Sequence, residues 1–191
     1  MKALILDGSR EGDSLTPVAV SGMCSALEGR GADVEHVKLR GFAVAPCTGC
    51  FGCWTRTPGE CVFEDATRDV VRSYVGSEIV VYATPVTFGG YSSLLKAILD
   101  RIILPVLDPR FTVVGGEVHH RLRYRRYPKT IGLGTMRLPD PEAEQLFAAL
   151  VARNGLNIQQ SAEAGVMVGV TDPASAREIA ERLLARAGIG P

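Results

Sequence analysis

Residues 78–101 read EIVVYATPVTFGGYSSLLKAILDR, and this stretch decides the fold. Glu78 to Tyr82 is the clearest strand of the chain: Ile79, Val80 and Val81 are a continuous apolar run, the pattern of a strand buried on both faces. From Tyr91 to Ile103 the apolar residues fall at helical spacing, with Leu94, Leu95, Ile98, Leu99 and Ile102 on one face. Strand, glycine-containing turn and amphipathic helix make one βα unit, and the rest of the chain repeats it. Ala3 to Leu6 is a short strand followed by a helix over 14–30. Ala32 to Val37 is a second strand, with a helix over 66–75 before the central unit. Thr130 to Leu133, a helix over 140–153 opened by Pro-Asp-Pro, a last strand within 158–168 and a helix over 174–187 complete the series. Five strands alternating with helices predict a doubly wound α/β domain built on a parallel sheet. No repeat or linker interrupts the pattern, so residues 1–191 read as a single domain. Segments 40–65 and 104–128 exceed the usual connection length, and loops that long are mostly functional or interfacial.

Composition narrows the function classes. Twenty-one basic residues balance 21 acidic ones, so no global field draws the chain to nucleic acid or to an anionic membrane. With 46% hydrophobic residues the chain fills a core, which excludes disorder and coiled coil. The apolar run at the N-terminus is too short for a signal-peptide core, and no later segment reaches membrane-spanning length. A cytoplasmic setting is expected, where thiols stay reduced. Four of the five cysteines nevertheless crowd into one short segment, as Cys47, Cys50, Cys53 and Cys61. Such crowding points to metal, cluster or redox chemistry.

Ligands of doubly wound sheets sit at the carboxyl ends of the strands. After the first strand, Gly8 to Thr16 carries hydroxyls on Ser9, Ser14 and Thr16 and a cation on Arg10, ahead of a helix N-terminus that favours an anion. Neither a phosphate-binding lysine loop nor a dinucleotide fingerprint is present. The segment reads either as a cradle for one phosphate or as an ordinary turn in which Ser14 caps the helix. After the third strand, Pro85 stiffens the exit, Gly89 and Gly90 allow close backbone approach, and Phe88 and Tyr91 add aromatic surface. A third loop, Gly132 to Met136, follows the fourth strand. Together the three favour a mononucleotide, with a phosphate at one point and a planar ring at another.

The combination of G-S-R-x-x-x-S-x-T, C-x2-C-x2-C-x7-C, T-P-V-T-F-G-G-Y and L-L-K-A-I-L-D-R resembles the NAD(P)H-dependent FMN reductases of flavodoxin-like fold. It is most similar to their iron–sulfur flavoprotein branch, over roughly residues 1–136. The resemblance implies a five-stranded parallel sheet of order 2-1-3-4-5 with helices on both faces. It also implies bound FMN, with NAD(P)H as co-substrate. Ser9, Arg10, Ser14, Leu15 and Thr16 would cradle the FMN phosphate. Pro85, Val86, Thr87, Phe88 and Gly89 would line the ring, with Gly132, Gly134 and Thr135 beside it.

The cysteine segment has two readings. Three thiols at intervals of three, with Gly49 and Gly52 permitting sharp backbone and Cys61 as a fourth, suit one [4Fe–4S] cluster, to which the resemblance also points. In the other, the thiols are free and line the flavin pocket or a subunit interface. Zinc is disfavoured, because its sites use ligand pairs with a longer spacer. Residues 119–129, HHRLRYRRYPK, concentrate basic side chains that either steer the phosphates of NAD(P)H or form a solvated or subunit-facing insertion.

The expected activity is hydride transfer from NAD(P)H to FMN and electron delivery to a small-molecule or protein acceptor, in a homodimer or homotetramer. Two other readings fit the same residues. One is an electron carrier that does not use NAD(P)H directly, and the other a non-enzymatic thiol redox-sensing or partner-binding domain.

Overall fold

Alternation within each apolar run sets the layers. The computed structural model describes residues 1–190. In chain order its elements are β1 (Lys2–Asp7), α1 (Thr16–Glu28), β2 (Asp33–Lys38), the single-turn α2 (Gly52–Thr55), α3 (Thr67–Gly76), β3 (Ile79–Pro85) and α4 (Ser93–Val106). There follow β4 (Leu107–Val114), β5 (Glu117–Leu122), β6 (Lys129–Met136), α5 (Pro141–Asn157), β7 (Ala162–Val168) and α6 (Pro173–Arg186). The main sheet runs β2-β1-β3-β6-β7, all parallel. Counted by sheet strands alone this is 2-1-3-4-5, a flavodoxin-like fold as expected.

Ala3 and Ile5 of β1 and Ile79, Val81 and Ala83 of β3 turn to one face, where α1 and α6 cover them. Leu4, Leu6, Val80 and Tyr82 turn to the other face, against α3 and α4. The two outer helices on the first face touch closely. A Cβ on Gly22 of α1 would lie 2.5 Å from the backbone carbonyl carbon of Ala176 in α6.

Segment 104–128 is not a loop. Its first residues finish α4, and β4 and β5 pair as an antiparallel hairpin beside the main sheet. The turn end of the hairpin is anchored to α5. His119 Nδ1 lies 3.1 Å from Asn157 Oδ1, and Arg153 of α5 holds the Glu117 carboxylate through its two terminal guanidinium nitrogens, at 2.9 and 2.5 Å. Segment 40–65 holds only a 3₁₀ turn and α2. Among the described residues, no helix is long and apolar enough to cross a membrane.

Helix propensity alone would make Gly22→Ala stabilising by up to about 1 kcal/mol. The contact with the Ala176 backbone cannot be relieved by a rotamer change, so overpacking at about 1–3 kcal/mol should win. Urea denaturation should show Gly22→Ala less stable than the parent, with an unchanged m-value.

Candidate functional site

The turns after β1, β3 and β6 meet at the carboxyl edge of the sheet. A cavity of about 380 Å³ lies there, lined by Arg10–Asp13, Leu15, Pro85, Val86 and Thr135–Arg137. The edge is knitted together by side chains. Thr16 Oγ1 lies 2.7 Å from Thr135 Oγ1, joining the start of α1 to the end of β6. Ser92 Oγ donates to the carbonyl of Gly8 at 2.7 Å, and Ser92 N donates to Thr84 Oγ1 at 2.8 Å. Ser92 also caps α4, accepting from Leu95 N. Gly8 is required by this approach: a Cβ there would meet Ser92 Oγ at 2.7 Å and Leu95 Cβ at 2.9 Å.

The site residues expected from the sequence divide into groups. Arg10, Leu15, Pro85, Val86 and Thr135 line the cavity. Ser9 and Thr16 are buried. The backbone N–H of Ser9 donates to Asp7 Oδ1, while its hydroxyl is buried without a partner. Ser14 is exposed and does not cap α1. That work falls to Asp13, whose Oδ1 accepts from Leu15 N at 3.0 Å and Thr16 N at 3.1 Å. Thr87, Phe88 and Gly89 form a tight turn closed by hydrogen bonds between Thr87 and Gly90. Phe88 is 99% exposed there, and Gly89 faces Leu146 of α5 rather than the cavity.

Gly132 and Gly134 need a correction. They belong to strand β6, not to a loop, and their absent side chains make room for α5. A Cβ on Gly132 would lie 2.4 Å from Val151 Cγ2, and one on Gly134 would lie 2.7 Å from Val86 Cγ2 and 3.1 Å from Phe147. Asp13, Met136 and Arg137 line the cavity without having been singled out. Arg137 was discoverable, as a basic residue immediately beyond a strand's carboxyl end.

The four clustered cysteines converge on a second pocket. Cys47, Cys50, Cys53 and Cys61 all line one small cavity, with Phe51, Phe63 and Arg101 among its other walls. Phe51 enters α2 in a left-handed conformation (φ 52°), which turns the chain between Cys50 and Cys53. Trp54 fastens the segment, its indole N–H donating to the carbonyls of Leu104 at 2.7 Å and Leu107 at 3.1 Å. The thiols differ electrostatically. A hydrogen bond from the Gly52 backbone, helped by Thr48 and Arg56, lowers the pKa of Cys50 against a smaller opposing effect of desolvation. Burial, with Cys61 nearby, pushes Cys53 up to about 11. Among the described residues, no three His, Cys, Asp or Glu side chains are placed to hold a single metal ion. Cys47, Cys50, Cys53 and Cys61 nevertheless share the lining of one cavity, with Cys47 and Cys50 facing solvent and Cys53 buried.

The basic stretch is largely structural. His120 stacks between Trp54 and Phe111, with ring centroids at 4.7 and 4.9 Å. Arg123 donates to the carbonyls of Pro105 at 3.0 Å and Leu107 at 3.1 Å, and the Tyr127 hydroxyl donates to Val106 O. Arg121, Arg125 and Arg126 are exposed.

Comparisons with known proteins agree with this architecture. An iron–sulfur flavoprotein of Methanocaldococcus jannaschii is 28% identical over 101 residues, 53% of this chain and 51% of the relative. One from Methanosarcina thermophila is 30% identical over 105 residues, 54% of this chain and 53% of the relative. The chain thus spans about half the length of the curated relatives it matches. Among solved structures, an NAD(P)H:quinone oxidoreductase from Methanothermobacter marburgensis superposes with a TM-score of 0.67 at 15% identity, over 100% of this chain and 98% of that one. An FMN-dependent NADH-azoreductase from Bacillus anthracis, in complex with FMN, gives 0.62 at 14% identity over 98% of both chains. The family model for NADPH-dependent FMN reductase matches residues 1–123, close to two thirds of the sequence, and the chain belongs to that family.

Proposed function

We propose that this protein is an FMN-dependent oxidoreductase that uses NAD(P)H and delivers electrons to a separate acceptor, with a [4Fe–4S] cluster in the four-cysteine pocket. The observation that carries the reading is the convergence of three strand-end turns on one cavity at the carboxyl edge of the sheet. Its volume falls in the range of about 300–1,000 Å³ usual for cofactor sites. The residues fit the cofactor. Arg10 and Arg137 supply cations, and the unpartnered hydroxyl of Ser9 is an unused donor at the same loop. Pro85 and Val86 offer a stiff apolar wall.

FMN, when bound, supplies the capacity to take a hydride and release electrons singly; the protein contributes position and electrostatics. Thr16 and Thr135 fix the relative placement of the first and third turns through their shared hydrogen bond. Ser92 fixes the first turn against the second through Gly8 and Thr84. Asp13 holds two amides at the start of α1, so an incoming phosphate competes with a carboxylate of the chain itself. Arg10 and Arg137 offset that charge.

Cytoplasmic location and self-association belong to the same proposal. A reducing compartment keeps the four thiols available as ligands. The bare side chains of Phe88 at the cavity-side turn and Phe111, Val113 and Val118 on the hairpin offer apolar surface for a second copy in a dimer or tetramer.

Protein purified without oxygen should show flavin bands on a broad sulfur-to-iron absorption, and NADH or NADPH should bleach the flavin. Cys47→Ser should lose the iron-dependent absorption and retain the flavin. A flavin spectrum alone would leave an FMN reductase with free thiols, and a colourless protein that binds no added FMN would sink the whole reading. A flavin that neither nicotinamide reduces would favour an electron carrier.

Arg10→Ala and Arg137→Ala should each weaken FMN binding to the apoprotein, read by quenching of flavin fluorescence. Exposed guanidinium–phosphate contacts are each worth about 1 kcal/mol, or about fivefold in Kd, and the loss should shrink at high salt.

A further inference from the structure

Arg101 lies on α4 with only 1% of its side chain exposed. A buried guanidinium is costly unless its hydrogen-bonding groups are met. Here Nη1 contacts the Asp65 carboxylate and donates to Ala45 O at 3.3 Å. Nη2 donates to the sulfur of Cys61 at 3.1 Å. Nε has no partner at all, and the guanidinium sits 5.5 Å from the Phe63 ring centroid. Burial works against the Asp65 carboxylate, but hydrogen bonds from Arg101 and Thr67 outweigh it and hold its pKa below the usual range. The pair is therefore ionised at neutral pH.

A salt bridge between Arg101 and Asp65 alone does not explain this arrangement. Asp65 satisfies one guanidinium nitrogen, and the other is aimed at a cysteine that shares its cavity with three more. An apolar side chain would fill the same volume without the desolvation penalty. What a cation supplies here is compensation for sulfur-borne negative charge on the inner side of the pocket, where Cys61 is half-buried and Cys53 buried, while Cys47 and Cys50 face solvent.

We propose that Arg101 is a positioning and charge-compensating residue of the four-cysteine pocket, holding Cys61 as a ligand and stabilising the reduced state of a cluster bound there. The inference rests on the cluster reading and goes beyond it, because it assigns this role to a residue outside the cysteine motif. Hydrogen bonds to cluster sulfurs are among the determinants of reduction potential, and loss of such outer partners typically costs about 10- to 100-fold in metal retention.

The test uses the anaerobically purified protein and three substitutions. Arg101→Met alone strands Asp65 without its cation and can fail to fold, so it is made together with Asp65→Asn. Arg101→Lys keeps the charge and loses the forked donor. The double variant should lose iron to a chelator about 10- to 100-fold faster. Its cluster midpoint, followed by electron paramagnetic resonance during a redox titration, should shift to more negative potential. Arg101→Lys should recover part of both effects. Unchanged midpoint and iron retention in the double variant, with thermal stability close to the parent, would overturn the role of Arg101 while leaving the cluster intact. An unchanged midpoint in the double variant, with normal iron content but faster iron loss, would confine Arg101 to holding Cys61 and overturn the charge component. Absence of iron–sulfur absorption in the parent would overturn the cluster reading itself, and this proposal with it.

Discussion

The carboxyl end of α4 is the point on which the rest of the structure depends. A helix leaves its last carbonyls without intrahelical donors, and those groups must be met if they are buried. Here Trp54 takes the carbonyl of Leu104, Arg123 that of Pro105 and Tyr127 that of Val106. These three donors come from the cysteine segment, the residue just beyond the hairpin, and the approach to β6. Meeting one helix end therefore pulls together three pieces of chain far apart in sequence. Without Trp54 the segment from Phe42 to Cys61 would have little apolar burial to hold it, because most of it is exposed.

The same requirement explains why the basic stretch looked functional. Arg and Tyr residues near a helix C-terminus complement both its orphan carbonyls and its dipole. Arg123 and Tyr127 are placed for that purpose, and His119 and His120 are used in docking and stacking. Only Arg121, Arg125 and Arg126 remain as free surface charge, which limits how much steering the stretch can provide.

The central strands were legible because β1 and β3 are buried on both faces and so appear as unbroken apolar runs. The hairpin was not legible, because Phe111, Val113 and Val118 point to solvent while His119 points in, an inverted pattern that reads as a loop. A register shift between Asp108 and Phe111 further obscures the alternation. At the first turn, Asp13 and Ser14 are both good capping residues. Which one caps depends on where the backbone bends, and composition does not encode that. Gly132 and Gly134 were misread for a physical reason. Glycine after a strand suggests a turn, yet Ile131, Gly132, Leu133 and Gly134 alternate large and small, which is strand periodicity. The small residues face α5 and the large ones face away from it. The four cysteines line one cavity, and the buried cation beside them comes from a helix forty residues later, beyond the reach of any local motif.

Helix α4 ties the two sites into one mechanical unit. Its N-terminal cap, Ser92, is bonded to the turn after β1, and Arg101, nine residues on, reaches the cysteine pocket. At 1.5 Å per residue the two anchor points are about 13 Å apart along a single rigid element. A loop could not hold such a spacing, and a cysteine segment tied only to itself would have no fixed relation to the sheet edge. The strand and helix that decide the fold thus also set the separation between the nucleotide-type cavity and the four thiols. A substitution in α4 that alters the helix between Ser92 and Arg101 would disturb both sites together, whereas changes in either turn would disturb only one.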